Sequence, residues 1–429
     1  MDWKKFIKPA EIAVVILTIL LSNRSIWLCL TDLNDPLSFC GYSNPGVDLL
    51  LYLFASLLAV WLLINTDRFE RYKAKWRINF FILGFVLLCL LSLAWTVHLI
   101  GTIYHVLILI FTTFLASFLG VYFTSRKFLT ILFWFASVTV LASWLLLLFF
   151  PNAAIMGDPH AGSWRGVFWH KNFTGSLMAF GTIIFLLYGF TATRHNTGRI
   201  TVCVIGYLLS LVYTVFSKSA AGVAIWFGLS MAAVILFIWS KIRVRLTRPH
   251  YILIAALVLA IGLLAILNLD FVFGLVNRES TLTGRLPLWN YLISIASQRP
   301  ILGRGFGAVW VVEEFQLQTT LAQGWSFAIT NGHNGFIDIL LGLGIVGFLS
   351  VLVIYFITLY RTGKYFINES KFENSLPFLV IIYFLLSNLT ISFFLEFESF
   401  HWILLVTALF LATPATKREN NPSIQSSLM

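Results

Sequence analysis

The sequence predicts an all-α integral membrane protein with about twelve transmembrane helices, and two observations support this class. Of the 429 residues, 59% are hydrophobic and only 11% are charged. Apolar runs of about 20 residues, the length that a helix needs to cross a bilayer, recur along the chain. Because these runs do not alternate with polar residues, they favour spanning helices over the strands of a membrane barrel.

Twelve apolar segments qualify as predicted spans. They are 10–30, 46–65, 78–97, 99–123, 128–150, 173–192, 200–217, 219–240, 250–269, 333–359, 377–395 and 399–413. The spans divide the chain into amino-terminal helices (1–150), an outer loop (151–172), central helices (173–269), a large outer loop (270–332), carboxy-terminal helices (333–413) and a tail (414–429).

The basic residues alternate between the two sides of this arrangement. Of the 29 Lys and Arg, 21 fall on the side of the amino terminus, seven fall on the opposite side, and Arg24 lies within a span. The positive-inside rule therefore predicts that both ends are cytoplasmic. This distribution also argues against nucleic acid, the partner that a net charge of +11 would otherwise suggest.

The first apolar run lacks a small-residue cleavage pattern and is expected to stay as the first helix. Only one of the four cysteines, Cys40, falls in an outer loop, so no disulfide framework is expected.

The large outer loop contains a segment with helical periodicity. In 284–299 the residues Leu286, Trp289, Leu292, Ile293 and Ala296 fall on one helical stripe. We expect an amphipathic helix that lies on or over the bundle. A membrane-surface anchor without any chemistry is the alternative interpretation.

Seven cations lie on the outer side, where the positive-inside rule disfavours them. They are Arg165, Lys171, Lys218, Arg278, Arg285, Arg299 and Arg304. A guanidinium matches phosphate oxygens two at a time, so a lipid diphosphate is a natural partner. Contacts with lipid headgroups or with the loop acids Asp158, Glu279, Glu313 and Glu314 are the alternative. Lys218 lies in a break between two apolar runs, from which it either snorkels to the interface or faces an outward cavity.

The segment "NGHNGFIDILLGLGIVG" (331–347) places polar residues where the chain re-enters the membrane. His333 is a candidate general base, because an imidazole of ordinary pKa accepts a proton near neutral pH. Asn334 and Asp338 are four residues apart and share one helical face, which we expect to look into the bundle. The following glycines allow neighbouring helices to approach. A capping histidine with structural polar neighbours is the alternative.

Other chemistries have little support. The sequence contains no P-loop, dinucleotide fingerprint, CxxC, HExxH or GxSxG pattern. Glu396, Glu398 and His401 are possible metal ligands, but without a second ligand cluster they fit better as groups that orient a base or pair with the cations. We therefore expect neither a metal nor another cofactor.

Four segments in this order carry a family resemblance: "RGVFWHKNFTGSLMA" (165–179), "LTGRLPLW" (282–289), "RPILGRGFGAVW" (299–310) and "HNGFIDILLGLGIVG" (333–347). Together they resemble the O-antigen ligase and Wzy-type polymerase superfamily of bacterial inner-membrane proteins, in particular its exopolysaccharide-polymerase-like branch. The resemblance covers residues 165–350, while the first 150 residues are similar only in hydropathy.

The resemblance implies a metal-independent, inverting glycosyl transfer at the periplasmic face, on a helical bundle similar to the GT-C glycosyltransferases. The donor would be a glycan on undecaprenyl diphosphate, and the acceptor a second glycan or the lipid A core. Arg285 would hold the diphosphate and His333 would activate the acceptor. Lys218, in a place where many relatives carry arginine, and Arg165 would lie near the diphosphate or sugar. Lys171, Asn334 and Asp338 are the remaining candidates for substrate binding.

The sequence leaves two other functions open. Twelve helices with both ends inside are also common among secondary transporters, for example of bicarbonate. A non-catalytic partner of glycan-export machinery would keep the helices and tolerate loss of His333 and Arg285. Within the enzyme interpretation, the sequence does not separate a ligase from a polymerase.

Overall fold

The computed structural model describes residues 4–22, 45–158, 160–192, 196–242, 282–324, 329–369, 371–390, 392 and 400–414. These residues form helices and connecting turns. The single β-feature among them is an isolated antiparallel bridge between Ile155 and Trp164. For the described part of the chain, the predicted all-α class is confirmed.

The α-helices of these residues are numbered in chain order. They are α1 (Lys4–Ser22), α2 (Pro45–Asn65), α3 (Phe69–Ile78), α4 (Phe81–Leu91), α5 (Leu99–Tyr122), α6 (Ser125–Phe149), α7 (Pro151–Ala154), α8 (Lys171–Phe190), α9 (Thr197–Phe216), α10 (Ala220–Ile242), α11 (Leu282–Ala296), α12 (Glu313–Gln323), α13 (Gly335–Glu369), α14 (Leu376–Thr390) and α15 (Phe400–Ala412). Short 3₁₀ segments lie at Ser92–Ala94, Val309–Val311 and Phe372–Ser375.

Eight helices in the described residues are long and apolar enough to cross a membrane, or nine if the bent pair α3 and α4 forms one span. The eight helices coincide with the predicted spans 46–65, 99–123, 128–150, 173–192, 200–217, 219–240, 333–359 and 377–395, and they fit a multi-pass membrane protein. The predicted span 78–97 corresponds only to the second member of the bent pair. The span predicted at 250–269 and residues 23–30 of the span predicted at 10–30 lie outside the described residues, while residues 10–22 fall in α1, which is not among the eight. At 399–413 lies the shorter apolar helix α15. The total of twelve stays a prediction.

The basic segment 66–77, predicted to be a loop, is largely helical. Helix α3 covers Phe69–Ile78 and meets the following apolar segment, Phe81–Ala94, at an angle of 77°. The prediction was wrong because Lys, Arg, Glu and Ala are good helix formers, even though their charges look like those of a loop. Lys75 in α3 is buried, and its ammonium donates a 2.6 Å hydrogen bond to the carbonyl of Phe410.

Helix α8 is the centre of the bundle. It packs against α6, α9 and α10. In its most apolar stretch of 18 residues, 78% of the residues are buried, whereas the corresponding share in α9 is 28%. Small residues allow this close contact: a Cβ on Gly222 of α10 would lie 2.6 Å from the backbone of Gly175 in α8. The first residue of α8, Lys171, is thereby placed beside the amino end of α10.

The large outer loop has its own small apolar core. Its fully buried residues include Leu288 and Leu292 of α11 and Leu341 of α13. The stripe predicted for α11 was partly wrong, because Leu286 and Ile293 are 54% and 49% exposed. Helix α11 packs against both α12 and α13, so its buried face is set by two protein neighbours.

Helix α13 is kinked at Gly344, where φ is 61° and ψ is −160°. The segment 300–305 lies in this kink and binds the backbone groups that the kink releases. The amide of Gly305 donates to the carbonyl of Gly342 at 2.8 Å, and the amide of Ile345 donates to the carbonyl of Pro300 at 2.8 Å. The glycines of α13 do allow close approach, as predicted, but Gly342 and Gly344 accommodate this loop and not a neighbouring helix.

Candidate functional site

The residues 331–334, which we name the His333 turn, lead into α13. The side-chain oxygen of Asn334 accepts hydrogen bonds from the amides of Phe336 at 3.0 Å and Ile337 at 3.4 Å, which makes Asn334 the N-cap. The side-chain oxygen of Asn331 accepts from the amide of His333 at 2.9 Å. His333 has a left-handed φ of 50°, a conformation that few residues other than glycine adopt. The turn thus presents its imidazole from a strained backbone.

Asp338 lies beneath this turn and is fully buried. Its oxygens accept hydrogen bonds from the amide of Gly332, at 3.2 and 3.3 Å, and from the indole Nε1 of Trp310 at 2.8 Å. The hydroxyl of Ser392 also forms a hydrogen bond with this carboxylate. The same hydroxyl oxygen accepts a 2.9 Å hydrogen bond from the amide of Asn334. Asn334 and Asp338, predicted to bind substrate, therefore engage their oxygens with groups of the protein itself.

Arg285 of α11 and His333 are close enough to interact electrostatically. Burial, and then the positive charge of Arg285 and the neighbouring His160, lower the pKa of His333 from 6.5 to about 3. Burial also lowers the pKa of the Arg285 guanidinium, to about 10. At neutral pH the site thus holds a neutral imidazole beside a cation, which can bind an anion. The ordinary pKa from which His333 was predicted to be a base is wrong for this site, because a pKa of about 3 makes the imidazole a weak base.

Two histidines that the sequence analysis did not select also belong to this site. The rings of His160 and His170 meet edge to face, with their centroids 5.2 Å apart. Burial lowers the pKa of His170 well below its usual range, with further contributions from His160, His333, Lys171 and Arg285. The Nδ1 of His170 accepts a 3.2 Å hydrogen bond from the amide of Asn172 at the start of α8, so its proton lies on Nε2. Like His333, His170 immediately precedes an apolar span, and this position is the sequence signal that was available.

Lys218 approaches the same outer loop from the break between α9 and α10. Residues 217–219 form what we name the Lys218 turn, and Lys218 has a left-handed φ of 49°. A Cβ on Gly162 would lie 3.1 Å from Lys218 Nζ, so the loop that carries His160 lies against this ammonium. The hydroxyl of Ser219 donates a 3.1 Å hydrogen bond to Asn172, next to Lys171.

The other outer cations have contacts of a different kind. Arg165 is buried, and its Nε donates to the carbonyl of Ala153 at 2.8 Å, toward the start of its own loop. Arg304 donates to the carbonyl of Ile295 at 2.9 Å and to the side chain of Gln298 at 2.8 Å, and so caps the carboxyl end of α11. Arg299 is exposed and Arg278 lies outside the described residues. Arg285 and Lys171 both interact electrostatically with His170 of the histidine cluster.

Three possible metal ligands were predicted near the carboxyl end of the chain. Glu396 and Glu398 lie outside the described residues. His401 is fully buried in α15, where its ring stacks on Tyr383 with 4.9 Å between centroids. Within the described ranges, no three His, Cys, Asp or Glu side chains are grouped as they would be to hold a metal ion.

Comparison with known proteins identifies similarity over part of the chain, which contains some but not all residues of this site. The family model described as Wzy_C, O-Antigen ligase, matches residues 181–352, which include Lys218, Arg285 and the His333 turn. The "Exopolysaccharide production protein ExoQ" of Rhizobium meliloti (strain 1021) is 27% identical over 128 residues. That match covers 28% of this chain and 28% of the relative, so the chain spans about a quarter of that relative's length. The predicted resemblance to the O-antigen ligase and Wzy-type family is confirmed.

Proposed function

Because residues 181–352 are similar to the O-antigen ligase family, we propose that this protein is a glycosyltransferase of the bacterial inner membrane. It transfers or polymerises a glycan carried on undecaprenyl diphosphate, at the periplasmic face, on a bundle of about twelve helices like that of the GT-C enzymes. Both ends of the chain are cytoplasmic. The observation that supports the proposal most directly is the electrostatic interaction of Arg285 with His333, in which the cation lowers the pKa of the imidazole.

The proposed reaction is an inverting displacement. An acceptor hydroxyl attacks the anomeric carbon of the donor glycan, and its proton passes to the neutral imidazole of His333. The bond between the anomeric carbon and the phosphate oxygen breaks, and the diphosphate leaves with the electron pair. Arg285, which offers two parallel N–H groups, stabilises the charge that develops on the leaving group, with Lys171 and Lys218 as further cations. Since side chains supply this charge stabilisation, the proposed transfer is metal-independent and uses no other cofactor.

Donor binding would also make His333 a stronger base. The low pKa of His333 is due first to burial and second to Arg285. A diphosphate bound to Arg285 adds negative charge beside the imidazole and therefore raises its pKa. Proton acceptance is thus favoured once the donor is in place.

The position of the polar groups supports transfer over solute transport. Secondary transporters bind their substrates near the bilayer midplane on broken helices. By contrast, His170, Lys218 and His333 all lie at helix ends, immediately before α8, α10 and α13. Uptake of a labelled solute into vesicles, dependent on this protein and an ion gradient, would contradict the proposal.

The proposal is tested with purified protein in nanodiscs and a lipid-diphosphate-linked glycan. We expect Arg285→Ala and His333→Ala each to reduce transfer by about 100-fold or more, the usual effect of removing a preorganised charge or base. Arg299→Ala is the matched control, because Arg299 is an exposed cation just after the same helix, and it should retain more than half of the rate. Folded variants of Arg285 and His333 that transfer at the unmutated rate would overturn the proposal.

A deletion strain separates the two acceptor classes. If the acceptor is another lipid-linked glycan, the strain retains single repeats and loses chain length. If the acceptor is the lipid A core, full-length glycan accumulates on its lipid carrier. A strain that retains normal surface glycan when complemented by the Arg285→Ala, His333→Ala double variant would instead indicate a non-catalytic partner.

A further inference from the structure

The peptide groups on both sides of Gly332 are held by side chains, immediately before His333. The amide of Gly332 donates to Asp338, at 3.2 and 3.3 Å to its two oxygens. The carbonyl of Gly332 accepts a 2.9 Å hydrogen bond from the indole Nε1 of Trp289. Two directional bonds of this kind fix both the position and the rotation of the backbone that enters His333.

One of these bonds comes from the helix that carries the proposed diphosphate ligand. Trp289 follows Arg285 by four residues, about one turn of α11. A helical turn is a rigid spacer, so the bond from Trp289 to Gly332 links the backbone of Arg285 to the backbone that enters His333. Helix α11 thereby positions the cation through one residue and the base through another.

The other bond comes from a carboxylate that substrate does not reach. Asp338 is fully buried, and Trp310, Gly332 and Ser392 all hydrogen-bond its oxygens. A buried carboxylate is costly unless such donors satisfy it. A Cβ on residue 332 would lie 2.6 Å from Asp338 Oδ1, so glycine at this position lets the carboxylate approach the backbone without being displaced. These contacts use Asp338 to hold the turn and leave it no surface for a ligand.

The conformation of His333 needs such support. Its left-handed φ of 50° costs roughly 1–2 kcal/mol relative to ordinary backbone, and strained residues persist only where neighbours determine them. Relaxation of the turn would move the imidazole relative to Arg285. It would equally change its position relative to His160 and His170, the other titratable groups of the site, and to Lys171 beside them.

We infer that Asp338 and Trp289 are positioning residues, which fix the His333 imidazole relative to the Arg285 guanidinium. This inference rests on the proposed function for its catalytic meaning. Trp310 supports it, because its indole donates to Oδ1 of Asp338, one of the two oxygens that accept from Gly332, and so orients the carboxylate. The predicted role of Asp338 in substrate binding is replaced by one that acts through His333.

The test compares Trp289→Phe and Asp338→Asn with Trp95→Phe. Trp95 is the matched control, because its indole also donates a 2.9 Å bond to a backbone carbonyl, that of Leu302, away from the His333 turn. Trp289→Phe removes one donor and keeps an aromatic ring, while Asp338→Asn keeps the shape and loses one acceptor. With the lipid-linked donor, we expect about a tenfold loss of kcat in both site variants, an unchanged KM for the donor, and wild-type values for Trp95→Phe.

A second readout does not depend on turnover. Diethyl pyrocarbonate modifies neutral imidazole, and mass spectrometry gives the rate at His333. In the unmutated protein the low pKa of His333 keeps the imidazole neutral, so the rate constants at pH 5 and pH 8, corrected for hydrolysis of the reagent, are equal. In Trp289→Phe and Asp338→Asn the imidazole moves away from Arg285 and burial, its pKa rises, and the rate at pH 5 falls several-fold below that at pH 8.

The two readouts separate this inference from the proposed function. A folded Trp289→Phe protein with unchanged kcat and an unchanged ratio of modification rates would overturn the inference, whatever Asp338→Asn does. The inference would also be contradicted if all three variants lost stability to the same degree while the ratio of the His333 modification rates at pH 5 and pH 8 did not change. If the unmutated protein transfers no glycan, the proposed function fails, while the modification ratio still decides whether Trp289 and Asp338 position His333.

Discussion

The Lys218 turn lies between helices that touch through glycine and serine, whereas the His333 turn is held by tryptophan and aspartate side chains. A Cβ on Gly175 would lie 2.7 Å from the Cβ of Ser219, so close packing of the two helices holds the first turn in place. Hydrogen bonds from Trp289 and to Asp338 fix the second. Both turns hold a polar residue in a left-handed conformation at a helix end. The first arrangement should therefore be sensitive to added volume, and the second to the loss of a donor or acceptor.

The largest expected effect concerns volume at the Lys218 side. Gly222→Ala would place a Cβ 2.6 Å from the backbone of Gly175, which cannot move aside as a side chain can. We expect a loss of about 2 kcal/mol in the free energy of unfolding, measured in mixed micelles titrated with SDS. Gly84→Ala is the matched control: nothing lies within 4 Å of its added Cβ, so stability should be unchanged or slightly higher.

A glycine-to-alanine substitution in the His333 turn tests the same difference from the other side. In Gly332→Ala the Cβ meets a side-chain oxygen of Asp338, 2.6 Å away, and not backbone. The carboxylate can shift, so this variant should lose less stability than Gly222→Ala. Equal losses of stability in the two variants would contradict the distinction between the turns.

A smaller effect is expected from the strained backbone of Lys218. Lys218→Gly and Lys218→Ala both remove the ammonium, so both should lower glycan transfer to the same extent. Glycine adopts a φ of 49° without strain, so Lys218→Gly should be more stable than Lys218→Ala by about 1 kcal/mol in the same unfolding assay. Greater stability of the alanine variant would show that the left-handed conformation is not held in the folded protein.

The sequence was sufficient for the parts of the fold that depend on hydropathy. Long apolar runs such as 99–123 and 128–150 became helices α5 and α6 with nearly the predicted bounds. The charged segment 66–77 was instead predicted to be a loop, because the same residues suit an interfacial helix and a loop. The buried face of α11 was predicted only in part, since it depends on two neighbours that periodicity does not reveal.

The candidate site was predictable only in part, for a similar reason. The order of motifs indicated that Arg285 and His333 act together, and the structure places them within electrostatic range. His160 and His170 were missed because their contact depends on how the loop 151–172 folds. The contacts of Asp338 with Trp310 and Gly332, and of Gly332 with Trp289, join residues from separate elements and leave no local pattern.

The central claim, that the Arg285 cation and the His333 base share one site, is tested most directly by a proton titration of His333. In protein with isotope-labelled histidine, NMR gives the pKa of this imidazole, with His333→Gln used to assign its signal. We predict that Arg285→Gln raises the pKa of His333 above its value of about 3, while burial keeps it below 6.5, and that Arg299→Gln has no effect. The same titration curve for His333 in the unmutated protein and in folded Arg285→Gln would contradict the claim.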